Sequence, residues 1–70
     1  MIWEKEVYSE MVAIVGYDTD MQALLITWAS GTKGLYANVP EDIAYKLSNA
    51  PSVGHMINEE IKPFYSYRRL

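Results

Sequence analysis

The sequence predicts an α+β fold: a small antiparallel sheet of three to four strands followed by two short helices packed on one face. Three observations lead there. Residues that favour extended backbone crowd the first half of the chain, two turns carrying Gly or Asp divide them, and from Pro40 onward apolar residues recur every three or four positions instead of every two. Strands first and helices second is the order of a sheet with helices gathered on one side.

Trp3 to Val7 alternates weakly with acids, and Val12, Ile14, Val15 and Tyr17 form a dense β-branched and aromatic run. One strand or two are expected there. Gly16-Tyr17-Asp18-Thr19-Asp20 holds the Gly and Asp signals of a turn, after which Leu24, Ile26 and Trp28 alternate with Leu25 and Thr27. That pattern is a strand with Trp28 on its buried face. Ala29-Ser30-Gly31-Thr32 makes a second turn, and Gly34 to Val39 a third extended segment with Leu35 and Tyr36 on opposite faces.

Pro40-Glu41-Asp42 then places a proline and two acids where a helix N-terminus favours them, and Ile43, Ala44 and Leu47 follow at helical spacing. Asn49-Ala50-Pro51 ends that helix. Ser52 caps the next, which carries Val53, Met56, Ile57 and Ile61 on one side until Lys62-Pro63 stops it.

At 70 residues the chain makes one domain, residues 1–70, with a thin core. The apolar fraction of 50% is enough for folding without a partner. The absence of cysteine removes disulfides, thiolate chemistry and Cys-based zinc sites, and fits a cytoplasmic protein. No apolar run approaches the roughly 18 residues of a membrane span, and Trp3, Glu4 and Glu6 stand where a signal peptide would be basic and then apolar. Neither export nor membrane contact is expected.

The net charge of −3 is unevenly placed. Glu4, Glu6, Glu10, Asp18 and Asp20 face only Lys5 in the first twenty residues, whereas the last ten hold Lys62, Arg68 and Arg69 and no acid. An acidic N-terminal side suits a basic protein surface better than a phosphate backbone. Trp3, Glu4, Glu6, Tyr8 and Glu10 are therefore the candidate protein-binding residues, with Trp3 read as an exposed aromatic beside acids. An edge strand guarded by charge is the competing account of the same stretch. Tyr65, Tyr67, Arg68 and Arg69 interleave rings with cations as a single-stranded RNA platform does, and are the candidate RNA contacts. The alternative is that Phe64 and Tyr67 close the core while the arginines pair with acids.

Catalytic groupings are sparse. His55 has Glu59 one helical turn on, but zinc asks for three or four ligands, so no metal site is expected. The serines lie in no nucleophile elbow, Gly31-Thr32-Lys33-Gly34 lacks the spacing of a phosphate loop, and so small a domain has little room for an enclosed substrate pocket. No enzymatic activity, cofactor or small-molecule substrate is expected.

Several short pieces in one order carry a resemblance. Val7-Tyr8-Ser9, Val12, Val15-Gly16-Tyr17-Asp18, Leu24, Ile26 and Trp28, Gly31, Val39-Pro40, Asn49-Ala50-Pro51-Ser52-x-Gly54, Asn58, Ile61 and Tyr67-Arg68 resemble the KTSC domain over roughly residues 7–69. The resemblance implies a small α+β fold, no known enzymatic activity and a proposed RNA-binding role. The chain departs from the family's central Tyr-x-Tyr, which stands here as Gly34-Leu35-Tyr36, so any role of the first tyrosine is absent. Being small, acidic and free-standing, the chain is also similar to phage-encoded regulators that bind bacterial RNA polymerase, inhibit initiation and suppress termination. That likeness makes RNA polymerase the expected partner, with RNA as the alternative.

Overall fold

Strands pair in chain order in the computed structural model, which describes residues 1–70. β1 (Ile2–Glu6), β2 (Val12–Asp18), β3 (Ala23–Trp28) and β4 (Lys33–Tyr36) form an antiparallel meander. Helices α1 (Glu41–Ser48) and α2 (Val53–Met56) follow, α2 running on into a π-helical turn over Ile57–Ile61, and the chain returns as β5 (Tyr67–Arg69) beside β4.

The fifth strand corrects the expected count of three to four. It is three exposed residues, two of them arginines, held as a strand by pairing with β4 and by the bonds Ala37 N to Ser66 O (2.9 Å) and Leu70 N to Lys33 O (2.9 Å). Nothing local favours it. β4 is also shorter than the extended segment expected from Gly34 to Val39, because Asn38 takes a left-handed φ of 58° and turns Val39 into the core. Asparagine tolerates that conformation better than most residues.

Alternation decides what each face carries. Val15 and Tyr17 of β2, Leu24 and Ile26 of β3 and Tyr36 of β4 point at the helices, where they meet Ala44, Leu47, Val53, Met56, Ile57 and Ile61 in one core. Each fully buried Leu or Ile stabilises the fold by about 1.5–3 kcal/mol. A register shift between Val12 and Ile14 sets Ala13 out of line and keeps both Val12 and Val15 inward. Trp28 packs against this core from its margin.

Polar groups fasten the corners. The buried hydroxyl of Tyr17 donates to the Val39 carbonyl at 2.6 Å, tying the sheet to the entry of α1. Ser9 Oγ accepts from Met11 N and Val12 N and closes the β1–β2 loop, Asp18 Oδ1 accepts from Asp20 N and Met21 N in the next, and Ser52 Oγ accepts from His55 N as the cap expected of it. Gly31, at φ 95°, makes the third turn in a conformation side chains resist.

Candidate functional site

The helices cover one face of the sheet and leave the other open, and the pairing register specifies what the open face shows. One cross-strand row runs Glu4, Gly16, Leu25, Leu35, Arg68 from edge to edge; the next runs Glu6, Ile14, Thr27, Lys33. Each row has a glutamate at the β1 end and a cation towards the β5 end. Between them Ile14, Leu25 and Leu35 are half-buried and lie outside the core cluster. A solvent-facing antiparallel sheet usually carries polar residues in those places.

The candidate protein-binding residues divide between faces. Glu4 and Glu6 lie on the open face, while Trp3 pairs with Tyr17 and Lys5 with Val15 on the helical face. Trp3 is thus not the exposed aromatic its acidic neighbours implied. Its ring lies 6.0 Å from that of Tyr17 and its Nε1 donates to Glu41 Oε2 at 3.0 Å, so it seals the sheet edge against α1. Lys5 similarly donates to Asn49 Oδ1 at the end of α1. Tyr8, on the β1–β2 loop, is fully exposed at 105%, and Glu10 beside it is exposed too.

The candidate RNA contacts do not gather into one platform. Register places Arg68 on the open face and Tyr67 and Arg69 on the other. Tyr67 is occupied: its ring lies 4.8 Å from Tyr36 and 6.3 Å from Trp28, and its hydroxyl accepts from Trp28 Nε1 at 2.9 Å. That ring also covers Gly34, where an added Cβ would sit 2.0 Å from the phenol oxygen. The space above Gly34 is therefore filled by a tyrosine from the neighbouring strand. Tyr65 packs against the core, whereas Phe64, expected to close it, is 72% exposed. Arg68 and Arg69 form no ion pair with the acids expected to hold them; the side-chain pair present is Lys46 with Glu60, at 3.8 Å.

A groove of about 560 Å³ between α1 and α2 is lined by Tyr45, Asn49, Pro51, His55 and Met56 among others. His55 is exposed there, and Ser52, its nearest hydroxyl in sequence, is engaged by the His55 backbone N–H. No three His, Asp or Glu side chains converge in a way that holds a metal ion. The displaced titrations are structural. Burial, and then the nearby carboxylates of Glu41, Asp42 and Asp18, raise the Tyr17 phenol above its ordinary range; burial and then Tyr67 raise that of Tyr36.

Comparison with known proteins accords with this architecture. The pattern of the KTSC domain matches residues 8–65, nearly the span of the sequence resemblance, with β5 beyond it. An uncharacterized protein of Stutzerimonas stutzeri (strain A1501) is 33% identical over 63 residues, 89% of each chain. The crystal structure of a KTSC domain protein from Yersinia pestis superposes with a TM-score of 0.90 at 26% identity, covering 100% of this chain and 99% of that one. Matched over most of its sequence and all of its fold, the chain belongs to the KTSC domain family.

Proposed function

We propose that the chain is a non-enzymatic, cytoplasmic binding module that docks on a basic protein surface through its acidic β1 side. The observation that carries this reading is Tyr8, a fully exposed aromatic on the loop between Glu6 and Glu10. Tyrosine supplies a large contact area at low entropic cost, and flanking acids fix which surface it meets. The partner named by the likeness to phage-encoded regulators is bacterial RNA polymerase, and the outcome it implies is inhibited initiation and suppressed termination.

The alternative is RNA binding through Tyr65, Tyr67, Arg68 and Arg69. It is less well supported, since stacking on bases needs free ring faces beside cations, whereas Tyr65 and Tyr67 are engaged within the fold and the arginines leave opposite faces of β5. No helix is long and apolar enough to cross a membrane.

A pull-down from bacterial lysate, with and without nuclease, separates the two. Recovery of RNA polymerase subunits that survives nuclease and falls with Tyr8→Ala supports the protein-docking reading. Recovery of RNA alone, lost on nuclease treatment, overturns it.

A further inference from the structure

The geometry points to a second copy of this chain as the occupant of the open sheet face, in a two-fold dimer whose axis runs along β3. This association goes beyond the partner docking proposed above and does not depend on it. Its basis is the charge order of the two cross-strand rows. Glu4 and Arg68 end the same row four strands apart, about 19 Å at the usual strand spacing, and Glu6 and Lys33 end the next three strands apart, about 14 Å. Neither pair can close within one molecule, and at physiological salt each is separated by more than a Debye length of about 8 Å.

A two-fold axis along β3 reverses strand order between facing sheets, so that β1 of each copy lies over β5 of the other and β2 over β4. Glu4 then faces Arg68 of the second copy, twice over, and Leu25 meets its own symmetry mate. Leu35 lies over Gly16 of the second copy, which is buried because the Glu4 and Leu25 side chains close in above it. Glu6 and Lys33 lie in the next row with the same polarity. An axis across the strands would instead stack β1 on β1 and set glutamate over glutamate, so the charge order selects one of the two arrangements. Packed sheets stand about 10 Å apart, within reach of Glu and Arg side chains from both sides.

The face is small. Five strands by about five residues give roughly 400 Å² of projected area and on the order of 1,000 Å² buried over both copies, the lower limit of specific interfaces. The dimer is accordingly weak and salt-sensitive. The Tyr8 loop follows Glu6 beyond the last of these rows, at the rim of the paired face.

Sedimentation equilibrium from micromolar to millimolar protein, at low and high salt, tests the arrangement through a charge swap. Wild type should move from the 8.0 kDa monomer toward twice that mass. Glu4→Arg alone and Arg68→Glu alone should each weaken association roughly tenfold, and the double variant should restore it, because each reversed pair re-forms across the axis. Mixing Glu4→Arg/Glu6→Arg with Lys33→Glu/Arg68→Glu should give a heterodimer tighter than either variant's self-association. Leu25→Glu, which sets two carboxylates together on the axis, should leave a folded monomer by circular dichroism. A wild type monomeric throughout, or single reversals that the double variant does not rescue, overturns the proposal.

Discussion

Replacing Gly34 by alanine tests how β5 is held, because the cost arises from one identifiable ring. A Cβ at position 34 would lie 2.0 Å from the Tyr67 hydroxyl oxygen, 2.3 Å from Cζ and 2.4 Å from Cε1, where ordinary contact begins at 3.4 Å. The phenol must withdraw, and in doing so it leaves the Trp28 indole N–H and the Tyr36 ring. A hydrogen bond of this kind contributes about 1 kcal/mol and an aromatic pair about 0.5–1.5 kcal/mol, so the loss is about 1.5–2.5 kcal/mol. Relief of glycine's excess chain entropy offsets about 0.5–1 kcal/mol, which leaves a net loss of about 0.5–2 kcal/mol. For a domain whose total stability is on the order of 5 kcal/mol, urea denaturation followed by tryptophan fluorescence resolves that difference easily. The decisive comparison is the same substitution in a Tyr67→Ala background. With the ring removed, Gly34→Ala should become neutral or stabilising. An equal cost in both backgrounds refutes the assignment of Tyr67 as the group over Gly34.

Three further outcomes follow from the packing. Tyr17 and Tyr36 are held neutral by burial, so the unfolded chain loses its protons first as pH rises past the ordinary tyrosine value of 10.0. The contribution of these two tyrosines should be constant below that pH and fall above it, by up to about 1.4 kcal/mol per pH unit for each tyrosine, and Tyr17→Phe should make alkaline unfolding shallower. Ser52→Ala removes the acceptor for His55 N and should lower stability by about 1 kcal/mol in thermal denaturation, with Ser52→Asp retaining most of it. Leu47→Ala hollows the contact between α1 and the sheet and should cost about 2–5 kcal/mol, lowering the thermal and urea midpoints more than any other substitution named here.

Much of the fold was legible because its signals are local. Period-two alternation in Leu24, Ile26 and Trp28, the Pro40-Glu41-Asp42 helix start and the Ser52 cap each act within a few residues. β5 was not, since Tyr67-Arg68-Arg69 has no apolar alternation and is a strand only because the helices return it to β4. Trp3 departs from the exposed aromatic that nearby Glu4 and Glu6 suggest, because alternation puts Glu4 and Glu6 on one face and Trp3 and Lys5 on the other. Lys5 is tolerated inward because it stands at the sheet edge, where its ammonium reaches Asn49. The acid-to-base rows of the open face were hidden altogether. Reading them requires the register of three hairpins and of the β4–β5 pairing that closes only through the helices, and the shift between Val12 and Ile14 moves that register by one residue.

The role proposed for the acidic β1 side is tested most directly by the affinity of the purified domain for bacterial RNA polymerase, measured by interferometry in nuclease-treated buffer. Saturable binding that weakens at least tenfold, about 1.4 kcal/mol, with Tyr8→Ala and again with Glu6→Lys/Glu10→Lys is the predicted result. Affinity unchanged by Tyr8→Ala, or increased by the lysine substitutions, would contradict it.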